Sequence, residues 1–495
     1  MRKQHDDHAA PPLPSRFRIG QIWENDMSTT GFAGGSGIPA SHILGRKLDS
    51  IPFSAYHVML ILVLGAVGFV EGYDLALGGS LIVLAKGPLH LTGADIRLLV
   101  LGPTFVVAVA GLSAALLSDR LSRKTIMQIG VIFSTLFTLL IPLAQNAEEL
   151  MALRLLTGIG LGFAISAPFP IAAELMPAQH RRTYGAIYEV MLASAFTLLP
   201  FISLFLAGNA HAFRLIALPG GLAFFVVPVL LYFALPDSPR WLLRRGRPQA
   251  AVDAVNDLIR RTGHRVPPMT LAELGPRLAV APEELPPFSA LFRRGQLRWT
   301  VVGILCSIAA GTCYYASAIL VPKALVDQGA AVTLSFGLSS LLFMASIPGK
   351  FFTGFIMEII GRRWAIFYAF GGAIPGLALM MFAHRAGSMA TVVMSAGALI
   401  TGFTVLSSFP AVRVYLSEQF PTALRGRGHF FGESFGRLFA GVAMPAFLEA
   451  NTHSPVVFFG TLLAVVAIGA FVPVLFGKET VGQLENFNEA AAEFA

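Results

Sequence analysis

Twelve apolar stretches, each at or near the length needed to cross a bilayer, recur between residues 56 and 476. That repetition restricts the chain to a bundle of membrane-spanning helices. A spanning helix needs about 20 mostly apolar residues, and inside the hydrocarbon every backbone polar group must find its partner within the protein. The clearest runs are Val58–Val70, Ile129–Ala144 and Val456–Phe476, and milder flanking residues extend the shorter ones. The expected spans are 56–85, 95–117, 125–145, 150–172, 184–207 and 212–234, then 299–322, 333–356, 364–383, 388–412, 426–448 and 455–476. Only 13% of the 495 residues are charged, against roughly 25% in soluble chains. Forty Phe against nine Tyr and four Trp suits surface that faces lipid.

The loops sort by charge. One set carries Arg120, Arg123 and Lys124, then Arg181 and Arg182, Arg362 and Arg363, Arg425 and Arg427, and a central stretch rich in arginine from Arg240 to Arg261. The alternate loops carry only Lys86, Arg214, Lys323 and Arg385. Basic loops stay on the cytoplasmic side, so both termini are expected inside, in an inner (plasma) membrane. The expected divisions are a cytoplasmic tail over 1–55, a six-helix bundle over 56–234, a central cytoplasmic loop over 235–298, a second bundle over 299–476 and a tail over 477–495. Within the central loop, Gln249–Arg261 reads as a short amphipathic helix under the membrane (Val252, Val255, Leu258, Ile259). A formal charge of +8 raises the question of nucleic acid; the basic residues are dispersed between apolar runs, which excludes that reading. The polar first fifty residues contain no signal-peptide core, and Met27 stands as an alternative start.

The two halves echo each other. Glu174-Leu175-Met176-Pro177 followed by Arg181 returns as Glu418-Gln419-Phe420-Pro421 followed by Arg425, an offset of 244 (418 − 174). The same offset places Gly158 on Gly402 and Glu189 on Glu433, and nearby Asp119-Arg120-Leu121-Ser122-Arg123-Lys124 echoes Glu358-Ile359-Ile360-Gly361-Arg362-Arg363. Duplicated six-helix halves around a midplane site are the architecture of alternating access. The expectation is therefore an all-α membrane protein of twelve transmembrane helices in two pseudo-repeat bundles, moving a small solute.

At these residues the chain resembles the major facilitator superfamily. Ala115 to Lys124 is similar to its Gly-x-x-x-Asp-Arg-x-Gly-Arg-Arg loop, departing at Ala115 and Ser122, and Gly354 to Arg363 is a second copy with Glu358 for Asp and Ile359 for Arg. Arg154 to Gly162, Glu174 to Arg181, and Pro236-Asp237-Ser238-Pro239-Arg240-Trp241-Leu242 resemble the sugar-porter-like branch. Glu71-Gly72-Tyr73-Asp74 resembles the first-span signature of aromatic-acid:proton symporters, with Glu71 where Asp is usual. The resemblance implies a fold of two six-helix bundles and uptake of an organic acid or sugar-like metabolite with protons; antiport efflux and a non-transporting sensor are the alternatives.

A carboxylate in hydrocarbon costs roughly 2.5–3.5 kcal/mol even on lenient scales, so it must be protonated, paired or wet. Asp74 and Glu71 lie deep in the first span, and Arg154 on the fourth is the natural cation for them. The resemblance implies proton acceptance at Asp74, tuned by Arg154. Tyr314, Tyr315, Arg437 and Glu433 are the expected substrate contacts, Arg437 and Glu433 being also i,i+4 neighbours on one helix. Glu189 and Glu433 are expected to meet arginines among Arg120, Arg123, Arg362, Arg363 and Arg437 when the cytoplasmic side closes. Asp119, Glu174 with Arg181, Glu358, and Glu418 with Arg425 belong to the same expected gate. Gly158, Gly160 and Gly162 read as packing positions.

There is no phosphate-binding Gly-x-x-x-x-Gly-Lys-Ser/Thr loop and no His-Glu-x-x-His or Cys-x-x-Cys pattern. Neither an enzyme, a cofactor nor a metal is expected. Cys306 and Cys313 lie seven residues apart, about 10 Å along one helix, too far for a disulfide. The expected partners are the solute, protons and lipid, and a monomer suffices.

Overall fold

The computed structural model describes residues 40–117, 121–165, 167–176, 181–264, 266–274, 288–420 and 422–480. No strand occurs among them. The first half supplies α1 (Ala55–Ala85), α2 (Gly93–Leu117), α3 (Arg123–Leu140), α4 (Ala147–Ile165), α5 (Arg181–Leu206) and α6 (Leu218–Ala234). The second supplies α7 (Arg294–Tyr315), α8 (Val332–Ile359), α9 (Arg362–Gly371, continued by Ala373–Phe382), α10 (Ala390–Thr404), α11 (Thr422–Leu438) and α12 (Pro455–Phe476).

Ten helices among the described residues are long and apolar enough to cross a membrane. The two of the twelve that fall short are α4 and α11. Each is diluted by the residues that make it interesting: Glu148, Glu149 and Arg154 on α4, Glu433 and Arg437 on α11. Of the ten, α1 and α7 are the most deeply enclosed and α6 the least. The halves meet along α5–α8, along α2–α11, and where α1 packs on the Ala316–Leu320 turn and the Val321–Asp327 helix that follow α7.

Close backbone approach sets the packing within the first half. Gly158 and Gly162 turn one face of α4 to α2, against the carbonyls of Pro103 and Val107, while Gly160 turns the other face to Ser134 of α3. A Cβ at any of the three would meet backbone, so α4 is wedged between two neighbours by glycines on alternate faces. Gly160→Val is expected to force α3 and α4 apart at a cost of about 1–3 kcal/mol or more, read as a lowered unfolding midpoint in detergent. Gly87→Ala, at a position with open space around it, should melt with the parent protein.

Spans four and ten, expected as continuous helices over 150–172 and 388–412, are both broken. After α4 ends at Ile165, a separate helix Pro168–Leu175 follows; after α10 ends at Thr404, a 3-10 turn Val405–Ser407 leads into Phe409–Glu418. Both second segments carry proline at the helix start, where its missing N–H does no harm but where it cannot donate back to the preceding turn. Two further irregularities flank the centre: π-helical turns at Ala316–Leu320, after α7, and Phe439–Ala443, after α11. Such turns recur at functional sites.

Call the end bearing the arginine-rich loops the basic end. At the other end the halves touch directly. Gly79 of α1 lies on the backbone of Ala318 and Ile319, and Gly441 lies on the Thr104 side chain of α2. The Ser340 hydroxyl donates to the Thr197 carbonyl at 3.2 Å, and Arg97 reaches Glu449 at 3.4 Å. The amphipathic helix expected over Gln249–Arg261 spans Pro248–Thr262. It buries Val252, Val255, Leu258 and Ile259, and Arg261 donates to the Phe233 carbonyl at 2.9 Å.

Candidate functional site

Two of the groups of buried charge among the described residues bear on the site. The first joins α1 to α4. Arg154 Nη1 donates to Asp74 Oδ1 at 2.7 Å, its Nη2 donates to the Asp74 carbonyl at 3.1 Å, and the Thr138 hydroxyl of α3 donates to the same Oδ1 at 3.2 Å. Both side chains are buried. Gly78, one turn beyond Asp74, leaves room for the guanidinium against α1. The expected pair of Asp74 and Arg154 is thus brought together, to one side of the central cavity rather than in its wall.

The second group is that wall. A cavity of about 30 Å³, room for little more than one water, lies where the halves meet. Glu71 and Leu75 of α1 and Glu189 and Leu192 of α5 form one side; Tyr314 and Tyr315 of α7, Phe409 and Arg413, and Glu433 and Arg437 of α11 form the other. Arg437 Nη2 and Nε donate to Glu433 Oε1 at 2.9 and 3.2 Å, and Nη1 reaches Glu71 Oε1 at 3.4 Å. The Tyr188 hydroxyl donates to the other oxygen of Glu71 at 2.7 Å. Lys350 Nζ donates to Glu189 at 2.6 Å, Arg413 donates to the other Glu189 oxygen, and Arg413 also reaches Glu433 at 3.4 Å. Glu189 and Glu433, counterparts under the 244-residue repeat, are therefore bridged by one guanidinium.

The rest of the wall is largely apolar, with rings from Tyr314, Tyr315 and Phe409. The Tyr314 ring meets Phe196, Phe409 and Phe343 edge-on at 4.8, 4.9 and 5.5 Å between centroids. The geometry is the favourable T-shaped one. Lys350 stands 5.5 Å from the centre of the same ring. Two buried cavity-lining hydroxyls, of Tyr314 and Ser307, have no hydrogen-bond partner among the described residues. Buried polar groups without partners are uncommon, and two facing one cavity suit a polar ligand.

Of the expected site residues, the structure gathers Glu71, Glu189, Tyr314, Tyr315, Glu433 and Arg437 around the cavity. The partners of Glu189 differ from the expected arginines: they are Lys350 and Arg413. Arg362 instead pairs with Glu418 at 3.2 Å, and the main-chain N–H of Arg362 also donates to Glu479 at 2.9 Å. Arg363 donates to the Pro473 carbonyl of α12 at 3.0 Å. Arg123 is half-buried at the start of α3. Asp119 and Arg120, and the side chains of Glu174, Arg181, Glu358 and Arg425, lie outside the described residues.

Lys350, Arg413, Tyr188 and Ser307 went unremarked in the sequence reading. Lys350 had a legible signal, as the one charged residue within span 333–356, because a charge in hydrocarbon marks function by default. Arg413 fell one residue beyond the expected end of span ten.

A model of the Major Facilitator Superfamily matches residues 64–445. The chain is 25% identical over 450 residues to the niacin transporter of Acinetobacter baylyi, covering 89% of this chain and 98% of that one. It is 26% identical over 443 residues to a gallate transporter of Pseudomonas putida, covering 86% and 93%. Among solved structures, the fold is similar to a partially occluded inward-open xylose transporter from E. coli, with a TM-score of 0.67 and 17% identity over 87% of this chain and 99% of that one. At that identity the likeness speaks for the fold alone.

Proposed function

The chain belongs to the major facilitator superfamily, and from that premise we propose that it takes up a small aromatic monocarboxylate together with a proton by alternating access. One observation carries the reading. The cavity at the junction of the halves combines guanidinium groups, Arg413 and Arg437, with aromatic faces and unpartnered hydroxyls. Arginine suits a planar carboxylate, and rings of Tyr and Phe suit an aromatic body. The names of two relatives specify niacin and gallate, each an aromatic ring bearing one carboxyl group. A sugar fits less well, since among the described residues the cavity wall contains no Asn or Gln amide to match ring hydroxyls with paired donors and acceptors.

In this reading the basic end is cytoplasmic, following the distribution of arginine, and both termini lie inside. The opposite end, closed by Gly79 and Gly441 and by Arg97 with Glu449, is the outer gate. Asp74 and Glu71 are the proton-accepting groups, with Arg154 tuning Asp74; Tyr314, Tyr315, Arg437 and Glu433 hold the solute. The charges at the basic end, Asp119, Arg120, Arg123, Glu174, Arg181, Glu189, Glu358, Arg362, Arg363, Glu418 and Arg425, pair and part as the halves rock.

Purified protein in liposomes tests this. An alkaline interior should drive accumulation of nicotinate or gallate above the outside concentration, and xylose should not compete. Accumulation only into vesicles with an acidic interior would reverse the direction to antiport, and uptake of xylose alone would overturn the carboxylate reading.

A further inference from the structure

Three acids line the cavity, Glu71, Glu189 and Glu433, against two lining bases, Arg413 and Arg437, and a third base, Lys350, that is bound to Glu189. With all six ionised and His429 neutral, the set sums to zero, and an entering carboxylate leaves a buried net negative charge. Such an uncompensated charge is costly. One acid must therefore give up its charge when the anion binds. Glu189 is gripped by two cations, Lys350 at 2.6 Å and Arg413. Glu433 is also gripped by two, Arg437 at 2.9 Å and Arg413 at 3.4 Å. Among the described residues Glu71 has a single ionic contact, the 3.4 Å approach of Arg437 Nη1. Its other oxygen accepts the Tyr188 hydroxyl, a bond that a neutral carboxyl still accepts through its carbonyl oxygen, weakened by the loss of charge assistance. Neutralising Glu71 thus sacrifices the least and frees one N–H edge of Arg437 toward the cavity.

We infer that Glu71 and the carboxylate of the solute take turns as the partner of Arg437, so that each monoanion enters with one proton on Glu71 and the loaded site is electrically neutral. This rests on the proposed uptake of aromatic carboxylates and deepens it. The groups facing Glu71 are Tyr184, Tyr188 and Glu189 from α5, Tyr314 and Tyr315 from α7, Lys350 from α8, and Arg413, Glu433 and Arg437 from the remaining wall; His429 interacts with Glu433, Arg413 and Arg437. Arg437 is already bound to Glu433 through Nε and Nη2, so it keeps its place when Glu71 lets go. Asp74 and Arg154, outside the cavity wall, belong to the route by which the proton arrives rather than to the exchange itself. Asp74 lies three positions after Glu71 along α1, about 4.5 Å of rise.

The test is calorimetric binding of nicotinate and gallate to the full-length protein in detergent, between about pH 6 and about pH 8, where the carboxyl groups of both probes are ionised. The wild type should take up one proton per anion bound, read from the dependence of the heat on buffer. Its affinity should fall about tenfold per pH unit where Glu71 is charged in the free protein. Glu71→Gln should abolish that slope and bind at the higher pH at least as tightly as the wild type does at the lower. Arg437→Gln should lose binding at both pH values. A tenfold slope that survives in Glu71→Gln overturns the inference, as does an uptake of no proton in the wild type, a measurement that needs no variant to fold. If the wild type binds neither probe, the aromatic-carboxylate reading itself fails; binding without proton uptake removes only the exchange at Arg437.

Discussion

Glu189→Gln is expected to destabilise the protein by about 3–5 kcal/mol, the cost of leaving a buried cation without its counter-charge. The pair it breaks joins α5 of one half to α8 of the other, with Lys350 and Glu189 only 1% and 3% exposed. Arg413 retains Glu433 after the change, but among the described residues Lys350 pairs with no other acid. The Tyr314 ring beneath it offers a cation–π contact of about 2 kcal/mol, which does not replace a carboxylate. The unfolding midpoint in detergent should drop sharply in Glu189→Gln. Lys350→Met in the same chain should recover most of the loss, because it removes the orphaned ammonium and fills its space with an apolar chain of similar length. Equal melting of the single variant and the wild type would mean that Lys350 finds water or another acid. Because the pair spans the two halves near the basic end, the double variant should also favour opening there, read as faster labelling of a cysteine placed beside Arg413.

Much of this site was legible from residue identity, and what was missed shares a physical cause. Hydrophobic length and loop charge are local properties, so the spans and the repeat followed from the chain itself, and so did the suspicion attached to Asp74, Glu71, Arg154 and Arg437. Pairing across the halves is not local. The Tyr188 hydroxyl reaches Glu71 from 117 residues away, and Arg413 reaches Glu189 from 224. No periodicity records such distances. Lys350 is different, since its isolation in an apolar span was visible, and the rule that reads Asp74 as functional applies to it with equal force. Arg413 was hidden by a boundary: a continuous helix over 388–412 excludes it, whereas the observed break at Val405–Ser407 sets a fresh helix whose second turn carries Arg413 into the cavity. The same break in α4 brings Phe169 under Arg413, 5.3 Å from the guanidinium to the ring centre. Phe169 and Arg413 are themselves counterparts under the 244-residue offset (413 − 169). The repeat thus preserved the position and replaced a ring by a charge.

Asp74→Asn is expected to abolish accumulation driven by a pH gradient while leaving the pH dependence of equilibrium binding intact. The two acids of α1 have different surroundings. Glu71 touches the cavity and shares Arg437 with Glu433; Asp74 is closed in by Arg154 and Thr138. α1 starts at the basic end, so Asp74 lies beyond Glu71 on the way to the opposite side, where the proton enters in the proposed cycle. An amide at 74 cannot carry that proton, and it leaves Arg154 unpaired in a site where the side chain is 4% exposed. The stability loss should again be about 3–5 kcal/mol, and Arg154→Gln in the same chain should relieve it. Transport should stay uncoupled in that double variant, which separates the loss of the proton route from the loss of stability. Counterflow of labelled against unlabelled carboxylate requires no net proton movement and should persist in both. Gradient-driven accumulation at the wild-type level in Asp74→Asn would take Asp74 out of the proton path and reduce its pair with Arg154 to an anchor between α1 and α4.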